Sequence, residues 1–215
     1  VLFRSFMNLM VLPNMEDEHE RSRANDELPQ SSSGKTIMTT EPKFVPNEAV
    51  SIKVEDEIDL NVRLIDCVGY MVDGATGHME GDSERLVKTP WFDHEIPFTK
   101  AAAIGTKKVI TEHSTIGVVV TCDGSFGEIE AMQYEKPEEE TIRQLKSLQK
   151  PFVVLLNTIH PYSEETRNLA REKEERYHAK VIPMNLEQLK KEDIYQILKS
   201  VLMEFPITSI GFYVP

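Results

Sequence analysis

Three short apolar runs decide what this chain can become. They are residues 116–120 (IGVVV), 152–156 (FVVLL) and 181–184 (VIPM). Residues 137–150 lie between the first two and read as an amphipathic helix, with Ile142, Leu145 and Leu148 as its inward row. Residues 163–178 separate the second and third as a polar helix, with Ser163 as N-cap and its charges outward. A last helix over residues 186–205 points Leu189, Ile194, Ile197, Leu198, Val201 and Leu202 inward. Strands without a polar face must be covered on both sides. Strands alternating with helices therefore predict an α/β, doubly wound, mostly parallel sheet with right-handed crossovers. Ligands of such sheets sit at the carboxyl ends of the strands. Asp66, Asp123 and Asn157 occupy such ends.

Upstream, residues 49–54 and 60–67 predict an antiparallel hairpin across the acidic turn 55–57, an antiparallel addition to the parallel sheet. Val62, Leu64 and Ile65 are its apolar run, Asp66 ends it, and Gly69 follows three residues later. A carboxylate at the end of a buried strand is costly without a partner. In P-loop nucleotide hydrolases that partner is Mg²⁺, and the glycine lets a backbone N–H approach the terminal phosphate. The same short pattern also fits a carboxylate that caps the following turn.

Thr39 and Thr40 open a proline-punctuated extended stretch within residues 36–46. That stretch sits where nucleotide hydrolases carry the loop that closes on Mg²⁺ and the γ-phosphate. A threonine pair also simply favours extended backbone. Ser33-Gly34-Lys35-Thr36 imitates a phosphate-binding loop, but Pro29 stands at the first glycine position and no strand precedes it. GTP-binding relatives of the fold end the strand before Asn157 in Asn-Lys-x-Asp. Here the four are Asn157, Thr158, Ile159 and His160. Histidine cannot offer the bidentate acceptor that reads guanine, which favours ATP over GTP.

The chain has 215 residues, enough for a full core. Its 24 basic and 36 acidic residues give a net charge of −12, which argues against duplex nucleic acid as a partner. Cys67 and Cys122 lie in or just after apolar strands and read as small buried thiols, as in a reducing cytoplasm, with no zinc spacing. Residues 1–12 are apolar at helical spacing and end at Pro13. They lack a start signal, so residues 1–5 are expected to be non-native sequence joined to a true helix from Phe6. Residues 14–33 read as a polar mobile connection, and residues 70–97 as a mobile segment pinned by Trp91 and Phe92. Residues 99–113 read as helical, with Ala103, Ile104, Val109 and Ile110 inward.

The runs LPQSSSGKTIMTTEPKFVPNEAV, LIDCVGY, KTPWF, IPFTKAAAIGTKKVITEHSTIGVVVTCDGS, KPFVVLLNTIHPY and MEFP, in that order, resemble the stage IV sporulation protein A family. These are the spore-coat morphogenetic ATPases of endospore-forming bacteria. The resemblance implies a translation-factor-type GTPase fold turned to ATP, with Mg²⁺ as cofactor. It implies self-assembly into a polymer, with other spore coat proteins, as the basement layer of the coat. Localisation would be the mother-cell cytoplasm at the forespore surface, with the outer forespore membrane reached through other regions. Asp66 matches the family's Walker B aspartate, and Thr39 and Thr40 match its γ-phosphate-sensing threonines. Thr40 joins Asp66 as a metal candidate. Gly69, Asn157 and Thr158 are the nucleotide-contact candidates. The family's G-x-x-x-x-G-K-[ST] loop is expected just before Phe6 and is not in this sequence. Residues 6–206 then form an ATPase domain without that loop, expected to bind ATP poorly alone, and residues 207–215 begin the next domain. The competing expectation is a non-catalytic scaffold that keeps the fold and binds partners.

Overall fold

A computed structural model describes residues 1–28, 41–54 and 58–206 of the chain. Helix α1 (Leu2–Phe6) runs on through a π-helical turn at Met7–Val11 and a 3₁₀ turn at Leu12–Asn14. Met7, Met10 and Val11 are fully enclosed. Helix α2 (Glu18–Asp26) then forms where the sequence suggested a mobile connection. Its start is Asp17, whose carboxylate accepts the N–H groups of His19 at 2.7 Å and Glu20 at 3.0 Å. That cap satisfies donors the helix leaves open. Ala24 and Leu28 anchor the segment in the core. A charged surface had masked a short capped helix.

Strands β1 (Lys43–Val54) and β2 (Ile58–Asp66) make the expected antiparallel hairpin, with β1 starting earlier than the apolar pattern suggested. A register shift between Val45 and Val50 divides the ladder, and Lys43 faces Asp66 at its open end. Residues 70–97 contain regular structure where the sequence suggested a mobile segment. They fold into two small antiparallel hairpins, β3 (Met79–Glu80) with β4 (Ser83–Glu84), and β5 (Leu86–Thr89) with β6 (Phe92–Pro97). Their glycines and Pro90 punctuate turns. Helix α3 (Phe98–Lys108) follows and continues as a π-helical turn through Val109–His113. Its lysines reach the rings expected to pin this region: Lys108 Nζ lies 5.9 Å from the Trp91 ring and Lys100 Nζ 5.9 Å from that of Phe92.

The carboxy-terminal half follows the predicted alternation. It runs β7 (Gly117–Cys122), α4 (Glu135–Ser147), β8 (Phe152–Asn157), α5 (Glu164–Tyr177), β9 (Val181–Met184) and α6 (Lys191–Met203). The three strands pair in parallel in the order β7-β8-β9. Every residue of β8 from Phe152 to Leu156 is buried. On one face Val154 and Leu156 meet Ile142 and Leu145 of α4 and Ala170 and Tyr177 of α5. On the other, Val153 and Leu155 meet Ile197 and Val201 of α6, with Leu2 packed alongside.

Three sequence expectations need correction in this half. The run 116–120 is not buried throughout: Ile116, Val118 and Val120 are exposed while Gly117 and Val119 are covered. Strand β7 pairs only with β8 among the described residues, and the α6 layer stops short of it. Leu148 is exposed, because α4 ends at Ser147 before the inward row reaches it. The last helix is shorter than residues 186–205, since Leu186–Gln188 form a separate 3₁₀ turn before α6.

The first hairpin is a two-stranded sheet by itself and does not extend the parallel one. It buries Val45, Ile52 and Val54 against Met7, Met10, Val11 and Ile194. That packing satisfies its apolar face without lateral pairing to β7. The observed architecture is thus α/β with a three-stranded parallel core and a separate antiparallel ribbon. No helix among the described residues is long and apolar enough to cross a membrane.

Candidate functional site

The structure places the candidate residues in two groups, one at the end of the first hairpin and one at the carboxyl ends of the parallel strands. In the first group Asp66 is half-buried where β2 ends. Burial pushes its carboxyl above the ordinary range, and the Cys67 backbone N–H and Lys43 offset this in part. A desolvated carboxylate of this kind is stabilised by a cation. Cys67 is likewise pushed up by burial, with a hydrogen bond from Thr106 acting the other way.

Gly69 follows with φ +87°, a conformation that side-chain-bearing residues rarely adopt. Its N–H donates to Thr106 Oγ1 at 3.1 Å. Thr106 lies on α3 and is 2 % exposed. The next residue, Tyr70, accepts a hydrogen bond at its phenol oxygen from the Gln144 side-chain amide on α4. Gln144 in turn donates to Glu140 at 2.9 Å. The loop after Asp66 is therefore moored to two helices.

The second group surrounds Asn157. Its Oδ1 accepts the Leu186 N–H at 3.1 Å, joining the end of β8 to the turn after β9. Thr158 is completely buried; its N–H donates to the Met184 carbonyl at 3.0 Å, and its Oγ1 accepts the His160 N–H at 3.1 Å. Asp123 follows β7, and its N–H donates to the Asn157 carbonyl at 3.3 Å. Burial pushes the Asp123 carboxyl up, but hydrogen bonds from Ser125 and Thr158 outweigh it and hold the group below its ordinary value. Ser125 Oγ also accepts the Ile159 N–H at 3.1 Å. Thr158 thus acts by fixing this loop, whereas Asn157 remains half-buried and His160 exposed at its rim.

Thr39 and Thr40 lie outside the described residues. They precede Lys43, the residue that pairs with Asp66. Two residues with direct roles in these groups were missed in the sequence. Thr106 carries the signal of a hydroxyl on the otherwise apolar buried face of α3; Ser125 carries none beyond its place after a strand-end aspartate. Among the described residues no group of three or more His, Cys, Asp or Glu side chains could hold a metal ion. Mg²⁺ keeps several waters and takes few protein carboxylates beside substrate phosphates. Asp66 fits that mode, and a protein-only cage does not. A groove of about 540 Å³ lies elsewhere, between α2 and the first hairpin, lined by Asn14, Glu20, Glu27, Ser51 and Lys53 among others. It contains none of the candidate residues.

The family model "Stage IV sporulation protein A, ATPase domain" matches residues 1–206. Proteins named stage IV sporulation protein A are similar over 212 residues: 53% identical in Clostridioides difficile (strain 630), 50% in Bacillus anthracis and 48% in Bacillus subtilis (strain 168). Each match covers 99% of this chain and 43% of the relative, so the chain spans less than half the length of these proteins. No solved structure matches it. The chain belongs to the stage IV sporulation protein A family, and its residues 1–206 correspond to that family's ATPase domain.

Proposed function

We propose that this chain is the ATP-hydrolysing portion of a sporulation protein that polymerises around the forespore, on its mother-cell side, as the basement layer of the spore coat. The observation that carries the hydrolase reading is the end of β2. There a desolvated Asp66 is followed three residues later by Gly69 at φ +87°, in a chain matched along residues 1–206 by an ATPase family.

Asp66 would hold Mg²⁺ through a water, and the ion would supply charge neutralisation between the phosphates. Gly69 would offer its N–H to the terminal phosphate. Thr39 and Thr40 would reach the metal or phosphate when their loop closes. Asn157 would face the nucleobase, with Thr158 fixing it from behind. The 215 residues contain no G-x-x-x-x-G-K-[ST] loop, so the activity is assigned to the longer protein. Other coat proteins, and the outer forespore membrane through other regions, are its proposed partners.

His160 supports ATP as the nucleotide, because it stands where an aspartate would read guanine. Phosphate release and sedimentable polymer, measured on the intact protein with ATP and with GTP, test the assignment. Higher efficiency and assembly with ATP are expected. Equal turnover of GTP would remove the base-recognition argument, and assembly without hydrolysis would favour a scaffold.

A further inference from the structure

The Gly69 amide is already engaged. Its N–H donates to Thr106 Oγ1 across 37 positions of sequence, at 3.1 Å. The acceptor is held firmly, because Thr106 is 2 % exposed on the inward face of α3 beside Ala102 and Gly105. That helix is fixed at its start by Glu84, whose carboxylate accepts the Thr99 N–H at 2.9 Å and the Thr99 hydroxyl. The donor has room around it. A Cβ on Gly69 would meet nothing within 4 Å, so the loop has open space beside it. An N–H directed at this hydroxyl is not free to point squarely at a phosphate oxygen.

We infer that Thr106 is a latch: its hydroxyl holds the Gly69 amide before nucleotide arrives, and the terminal phosphate must take that amide away from it. This rests on the reading that Gly69 contacts the terminal phosphate. A charged acceptor forms the stronger hydrogen bond, so the exchange favours the phosphate. The hydroxyl acceptor sets a threshold, and nucleotides lacking the terminal phosphate leave the latch shut. Release would be transmitted along the loop, because Tyr70, the next residue, is bonded to Gln144 on α4. Thr106 is a positioning residue, since it touches the loop and not the substrate.

Hydrogen exchange of the Gly69 amide and binding of a non-hydrolysable ATP analogue, both on the intact protein, provide the test. Thr106→Val and Thr106→Ala remove the acceptor, and Thr106→Ser keeps it. Without nucleotide, the amide should exchange about 2- to 10-fold faster in Thr106→Val than in the wild type or Thr106→Ser, the span expected for one net hydrogen bond. The analogue should bind Thr106→Val tighter by a similar factor and slow the Gly69 amide in every variant. ADP should not slow it. Unchanged exchange in the folded valine or alanine variant overturns the latch while leaving the hydrolase reading intact. Faster exchange without tighter binding, or without protection by the analogue, shows that Gly69 does not meet the phosphate and overturns that reading instead. If neither variant folds, the wild type decides: a Gly69 amide equally protected by ADP and by the ATP analogue sinks the proposal.

Discussion

At the residue scale, Asp66 and Gly69 make opposite kinds of sacrifice. Burial raises the carboxyl of Asp66 in the folded protein above its value in the unfolded chain. The folded state is therefore favoured most below the ordinary carboxylate pKa near 4, and this contribution is lost as pH rises through the raised folded value. Asp66→Asn should melt higher than the wild type in metal-free buffer at pH 7, and its advantage should shrink towards pH 4. Thermal melts across that range check it. Gly69 has φ +87° and open space around it, so Gly69→Ala strains the backbone without a clash. Denaturant unfolding should show a loss of about 1–2 kcal/mol. Both residues were legible in the sequence because a strand-end carboxylate and a nearby glycine are local features. Thr106 was not, because its partner is fixed by how α3 packs against the hairpin end.

Among elements, helices α4 and α5 are joined by an ion pair that has left water. Lys173 Nζ lies 2.7 Å from Glu138, whose side chain is only 2 % exposed. Tyr177 packs beside it, its phenol pushed up by burial and by the Glu138 carboxylate. Lys173→Met strands a buried carboxylate and should cost about 3–5 kcal/mol in denaturant unfolding, whereas pairing it with Glu138→Gln should recover much of the loss. A second charged contact closes the preceding helix: Lys150 Nζ donates to the carbonyls of Ile110, Thr111 and Ser114 at that helix's end.

The elements themselves read well where periodicity was strong. Helix α5 begins after Ser163, which caps it through the Thr166 N–H at 3.1 Å, as its sequence indicated. Reading failed where capping or turn chemistry outweighed composition. Asp17 starts a helix inside a charged stretch, and short hairpins occupy residues 70–97. Exposure was the other blind spot. Val118 and Val120 look like core residues in a run of valines, and only the exposed face of β7, which pairs with β8 alone among the described residues, shows otherwise.

Across the whole molecule, the amino-terminal helical segment ties the first hairpin to the parallel sheet. Met7 and Met10 are fully enclosed against the hairpin, while Leu2 packs with the residues between α6 and the parallel sheet. Met7→Ala should therefore destabilise the fold by about 2–5 kcal/mol, as for other enclosed core side chains. A loss near zero would mean that the segment is not part of the cooperative unit. Through this segment the hairpin that ends in Asp66 and the strand that ends in Asn157 belong to one body of packed side chains.

The central claim is that Asp66 supports metal-dependent ATP hydrolysis. Its most direct test is Mg²⁺-dependent phosphate release by the intact protein and by Asp66→Ala, with binding of ATP followed in parallel. Losing several kcal/mol of charge stabilisation should lower release by about 100-fold or more while the variant stays folded. Phosphate release from Asp66→Ala at the wild-type rate would contradict the account.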